Sequence, residues 1–184
     1  PGSGAESSWV EAPVYIDGTA YTLQVLGDWL YIAGDFNVHG TSDYTGTVVA
    51  RYNGTQVQAF DKLYSVNHDV YALLVLAEED LVIGGGFTKA NSDSANNVAI
   101  FLPSVAADGR LRPLNGDGVD GRVEALGWFN GMLLAGGDIE GSANNQWFYG
   151  IARFVPDLDS WAPVIANFEN RVYAILGTQD CLYL

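Results

Sequence analysis

Three short stretches and two histidines hold residue types that could do chemistry. Leu81–Lys89, LVIGGGFTK, sets three glycines after an apolar run and a lysine after them, the composition of a loop that wraps its backbone N–H groups around a phosphate. Such a loop also needs a Ser or Thr directly after the lysine and a helix behind it. Lys89 is followed by Ala90, so Gly84, Gly85 and Gly86 are predicted to be structural. Asn115–Gly121, NGDGVDG, offers Asn115, Asp117 and Asp120 as oxygen ligands for a hard cation, and calcium is the only cofactor the sequence nominates. The stretch lacks the closing glutamate and spacing of an EF-hand loop, so a solvated turn is the favoured reading. His39 and His68 have no cysteine or carboxylate at a metal-ligand spacing and read as loop residues. Asn53-Gly54-Thr55 is an N-glycosylation sequon, meaningful in a secreted chain, and its composition also suits an ordinary hairpin turn. No catalytic residue is nominated, because a carboxylate pair cannot be picked out among so many acids.

Composition narrows the partners. The 184 residues carry 8 basic and 22 acidic side chains, a net charge of −14. That field repels nucleic acid and anionic lipid headgroups, and neither is an expected partner. No apolar run approaches the ~18 residues that suggest a membrane span. The start, PGSGAESS, has no signal-peptide core, and residues 1–8 read as a flexible linker. Cys181 is the single cysteine, so any disulfide partner would lie outside the chain.

Self-similarity explains most of the rest. Tyr21–Phe36, Tyr71–Phe87 and Glu124–Ile139 share one layout, and Tyr173–Leu184 begins a fourth copy. Aligned on Gly34, Gly85 and Gly136, with Gly86 and Gly137 beside the last two, the copies recur every 51 residues. A second strip follows each, pairing Ala50 with Tyr52, Ala99 with Phe101 and Ala152 with Phe154; a third carries Trp9 or Trp161. Segments of four to seven residues rich in Val, Ile, Tyr and Phe, set between Gly, Asn, Asp and Pro, are strands. VYALLVLAEED could pass for an amphipathic helix, but its counterparts are broken by Gly27, Gly127 and Gly131, so a hairpin turning at Ala77–Asp80 is predicted.

Four strands in about fifty residues, repeated in tandem, make the unit of a β-propeller. The fold class expected is all-β, a propeller with three complete four-stranded blades near 20–69, 70–121 and 122–171. Residues 9–17 would be the outer strand of a preceding blade and 172–184 the inner strands of a following one. The remainder is expected from further sequence or a neighbouring subunit. Within a blade, glycines let inner backbones approach and outer aromatics fill the widening gap.

These residues, with Gly84-Gly85-Gly86-Phe87, NVAIF, LLAGGD and GIARFVPDLDSWAP, resemble kelch-like and delta-60-type propeller repeats of the group containing galactose-oxidase-like and fungal cell-polarity landmark propellers. Thr41–Val49 has the ingredients of a sialidase-type box but its glycine is one place late and its tryptophan is missing. The resemblance implies a non-enzymatic extracellular or cell-surface scaffold that binds a protein or glycan. Alternatives are a structural subunit of an extracellular assembly, or part of a secreted oxidase or glycan-active enzyme.

Overall fold

The computed structural model describes residues 15–39, 44–59, 66–76, 80–102, 110–114, 118–143, 146–164 and 168–184. Trp9, Asn115 and Asp117 lie outside the described residues. The protein is all-β. Three antiparallel four-stranded sheets follow one another along the chain, and each is built in the same order from its first strand outward.

The first sheet contains β1 (Tyr15–Leu26), β2 (Trp29–His39), β3 (Tyr44–Tyr52) and β4 (Val57–Ala59). In the second, β5 (Val70–Val75), β6 (Leu81–Gly85), β9 (Val98–Leu102) and β10 (Arg110–Pro113) pair in that order. A short hairpin, β7 (Lys89–Ala90) with β8 (Asp93–Ser94), is inserted between β6 and β9. The third sheet is β11 (Asp120–Phe129), β12 (Met132–Ala143), β13 (Gln146–Val155) and β14 (Ser160–Pro163). Last come β15 (Leu176–Gly177) and β16 (Leu182–Tyr183), a two-stranded sheet. The VYALLV segment pairs antiparallel with β6, so the hairpin predicted there forms, and Leu76 N–H donates to Asp80 O at 2.8 Å across its base.

One boundary differs from the sequence reading. Tyr15, Ile16 and Asp17 pair with His39, Val38 and Asn37 as the start of β1. They belong to the first sheet and not to the outer strand of a preceding unit, because β2 is long enough to pair with the whole of β1.

The first strands lie next to one another in chain order: β1 packs on β5, β5 on β11, and β11 on β15. The cores sit between successive sheets. Tyr31, Ala33 and Val49 of the first sheet bury against Leu73, Leu81, Ile83 and Phe101 of the second. Ala72, Val82 and Val98 of the second bury against Leu126, Leu133, Ala152 and Trp161 of the third. The small residues picked out in the second strip, Ala50, Ala99 and Ala152, are all fully buried. Their aromatic neighbours each face a residue of the outer strand in register, as Tyr52↔Val57, Phe101↔Leu111 and Phe154↔Trp161.

The glycines divide into two jobs. Each first strand has a register shift where one extra residue bulges out, at Tyr21, Tyr71 and Glu124. Opposite the residue before each bulge stand Gly34, Gly85 and Gly137, in the pairs Ala20↔Gly34, Val70↔Gly85 and Val123↔Gly137. A Cβ at any of these three would come within 3.0 Å of backbone in or directly before the first strand, at the carbonyl oxygens of Thr19, Asp69 and Arg122 respectively. The structural repeat therefore runs Gly34, Gly85, Gly137, and the alignment on Gly136 is corrected by one residue. Gly84 and Gly136 do the second job: a Cβ there would meet Val123 and Leu126, or Val172 and Ile175, side chains of the next first strand or segment. Gly86 does neither, since a Cβ would stand 3.7 Å from its nearest neighbours, an ordinary contact.

Candidate functional site

The bulges aim side chains out of the sheets along the row of first strands. A bulge places an extra residue and turns its side chain away from the ladder's regular alternation, so Tyr21, Tyr71 and Glu124 stand at equivalent places. Tyr173 opens the following copy of the motif. These residues form a continuous run. The rings of Tyr21 and Tyr71 meet at 4.9 Å between centroids, tilted by 47°. The Arg122 guanidinium lies over the Tyr71 ring, 5.3 Å from its centroid. Arg122 Nε is buried and 3.3 Å from Glu124 Oε1, an ion pair without the alignment of a hydrogen bond. Glu124 receives the Arg171 fork: Nε donates to Oε2 at 2.5 Å, and Nη2 donates to Oε1. Arg171 in turn lies over Tyr173, 5.1 Å from the ring centroid.

The ladder Tyr21, Tyr71, Arg122, Glu124, Arg171, Tyr173 thus crosses four successive copies of the motif. Its interior is fixed and its ends are open. Glu124 is 14% exposed, while Tyr21 is 47% and Tyr173 69% exposed. Aromatic rings presented to water at the ends of a run pinned by a bidentate ion pair form a rigid, amphipathic surface.

Titration follows this packing. Burial pushes the Tyr71 phenol above its ordinary value of 10.0; Asp69, whose Oδ2 accepts the phenolic O–H at 3.0 Å, raises it further, and Arg122 opposes the shift. The bidentate contact with Glu124 holds the Arg171 guanidinium even further into its charged range. The raised Tyr71 phenol keeps its proton at neutral pH, and Arg171 keeps its charge against Glu124.

Beside it lies an open pocket of about 320 Å³ lined by Asp120, Gly121, Asp138, Ile139, Glu140 and Tyr149. Strand register builds it: Asp120 faces Glu140, Glu140 faces Tyr149, and Arg122 of the ladder faces Asp138. The pocket supplies hydrogen-bond acceptors and one half-exposed ring next to the ladder.

The residues singled out in the sequence fare differently. Among the described residues, no group of three or more His, Cys, Asp or Glu is placed to hold a metal ion. Asp120 sits at the start of β11 in the pocket. His39 stacks against Tyr15 at 5.7 Å, and His68 accepts the Asp69 N–H at 2.9 Å. Cys181 is exposed in a turn closed by Thr178, whose N–H donates to Cys181 O at 2.8 Å. Asn53 stands in the turn between β3 and β4. Trp161 is buried in the core between the second and third sheets. The ladder itself was not legible, because its members come from different copies and one of them, Glu124, breaks the tyrosine pattern.

No protein-family model matches the chain, and no curated protein matches it. Among solved structures it is similar to the extracellular domain of a putative one-component system from B. thetaiotaomicron, at 10% identity and a TM-score of 0.38 over 88% of this chain. The chain spans 30% of that structure's length.

Proposed function

We propose that the chain is a β-propeller segment of the kelch-like or delta-60 type that works outside the cell or at its surface as a non-catalytic scaffold, binding a protein or carbohydrate through the ladder. The single observation that supports this most is the ladder: exposed tyrosines at both ends of a run held rigid by Arg171 and Glu124. Ring faces take the C–H face of a sugar or an apolar side chain, and the adjoining carboxylates accept hydroxyl or amide donors. Rigid aromatic anchors lose little conformational freedom on binding, which is why they dominate recognition surfaces. The acidic surface and single cysteine agree with this reading and do not choose between the two ligand classes.

The test is a binding screen of the folded chain on immobilised oligosaccharides and purified cell-surface proteins. Saturable binding is expected, weakened about tenfold or more by Tyr173→Ala, which corresponds to ~1.4 kcal/mol. The melting temperature of the variant should stay close to that of the parent, since the ring is mostly in water. Binding that ignores both Tyr21→Ala and Tyr173→Ala contradicts the ladder as the binding face.

One observation favours a second reading, a structural subunit. Two residues past each bulge, Leu73 and Leu126 are buried at 7% and 8% exposure, whereas their counterpart Leu23 is 58% exposed and Val25 beside it 62%. This apolar face of β1 suits another chain. Sedimentation velocity over a dilution series is expected to show concentration-dependent assembly abolished by Leu23→Glu; a monomer at every concentration removes the reading.

A further inference from the structure

The turn between β3 and β4 carries a feature the ladder does not use. We propose that Asn53 is an N-glycan acceptor, modified at Nδ2 when the chain passes through a compartment that holds a polyprenyl-diphosphate-linked oligosaccharide and its transferase. The natural occurrence of the modification rests on the extracellular placement proposed above.

Four observations support it. The sequon Asn53-Gly54-Thr55 falls wholly within a reverse turn, where Asn53 N–H donates to Gln56 O at 3.3 Å. Gly54 and Thr55 are exposed, and a Cβ built on Gly54 would meet nothing within 4 Å, so the space above the turn is open. The Asn53 side chain is held by its oxygen alone: Oδ1 accepts from Thr55 N–H at 3.1 Å, Thr55 Oγ1–H at 2.9 Å and Gln56 N–H at 3.0 Å. Among the described residues, none takes Nδ2. Both hydrogens of that nitrogen are thus left over, and replacing one by a sugar breaks no contact of the turn.

In the transfer, Nδ2 forms a bond to the anomeric carbon of the donor while the bond from that carbon to the diphosphate oxygen breaks. The amide loses one proton, and the lipid diphosphate leaves with the bonding electron pair. No oxidant or reductant is needed. The Thr55 hydroxyl bonded to Oδ1 is the sequon's own contribution to the turn, and Ser could repeat it.

The glycan would stand clear of the ladder. Tyr52 and Val57, which flank the turn, pair at the end of the sheet where Leu30 pairs with Val25. Tyr21 lies four residues along β1 from Val25 and two strands inward from the turn. A sugar on Asn53 therefore shields the outer edge and leaves the binding face open.

Translating the whole chain behind a cleavable leader with microsomes removes the dependence on natural location. The protease-protected product is expected to run as two bands, the heavier collapsing to the lighter after treatment with an amidase specific for Asn-linked glycans. Asn53→Gln and Thr55→Ala should abolish the heavier band, and Thr55→Ser should restore it. A protected product with no heavier band, or one whose heavier band survives in Asn53→Gln, overturns the proposal. Neither result bears on the ladder, whose test is a separate binding measurement on the unmodified chain.

Discussion

Replacing Gly85 with Val is expected to lower the melting temperature by about 6–12 °C, the shift that roughly 3 kcal/mol produces in a domain of this size. The cause is local and steric. A Cβ at Gly85 would stand within 3.0 Å of the Asp69 carbonyl and of a Phe87 ring carbon, and 3.1 Å from Val70 Cα. Two of those neighbours are backbone atoms at the start of β5, Val70 Cα and the carbonyl of Asp69 just before it, which cannot yield without undoing the bulge that presents Tyr71. Overpacking of this kind forces the strands apart. Val at Gly27 provides the contrast in cause: nothing stands within 4 Å of its Cβ, but its φ of 58° is itself unfavourable to a side chain. Gly86→Ala is the cleaner control, because its nearest neighbours are 3.7 Å away, and its melting temperature should barely move. Thermal melts of the three variants followed by circular dichroism separate these outcomes; equal shifts for Gly85→Val and Gly86→Ala would contradict the assignment of Gly85 to the bulge.

Trp161→Ala should cost more, about 4 kcal/mol, through the cavity it leaves. Trp161 is 4% exposed and lies opposite Phe154, with ring centroids 5.5 Å apart. It belongs to the cluster that joins β5, β6 and β9 of the second sheet to β11–β14 of the third. Its removal therefore weakens the joint between two sheets, and not the outer strand alone. The indole Nε1 is buried with no hydrogen-bond partner among the described residues, so Trp161→Phe loses volume but no described hydrogen bond and is expected to cost about 1–2 kcal/mol. Chemical denaturation of the two variants checks the order: Ala well below Phe, and Phe below the parent. Near-equal losses would mean that the indole N–H does have a partner.

What the sequence made legible follows from physics confined to one repeat. Strand order, the VYALLV hairpin and the buried Ala50, Ala99 and Ala152 are set by alternation and turn residues inside a unit, and those recur visibly. The glycine alignment failed by one residue in the third unit because Gly136 and Gly137 stand side by side there, and composition alone cannot tell which one backs the bulge. The register decides it: Val123 faces Gly137. The start of β1 was misplaced because nothing at Tyr15–Asp17 marks whether the chain is finishing one sheet or starting the next.

The ladder was hidden for a different reason. Its contacts from one copy to the next join residues 47 to 51 apart, as in Glu124 with Arg171, Tyr21 with Tyr71 and Tyr71 with Arg122, and they depend on how neighbouring sheets stand. The tyrosines at 21, 71 and 173 were visible as the first letter of YTL, YAL and YAI. Their common aim was not, since it comes from an extra residue in the pairing that only a partner strand reveals. The two arginines of the ladder, Arg122 and Arg171, stand two residues before Glu124 and Tyr173 and carried no signal beyond charge.

This row of side chains is expected to meet the ligand directly. The direct measurement is an NMR titration of the chain carrying ring-labelled tyrosine, with the oligosaccharide or protein that the binding screen returns. Shifts concentrated on Tyr21, Tyr71 and Tyr173 are expected, with Tyr15 and Tyr183 unmoved. Shifts confined to Tyr15 or Tyr183, with the three ladder rings silent at saturation, would contradict it.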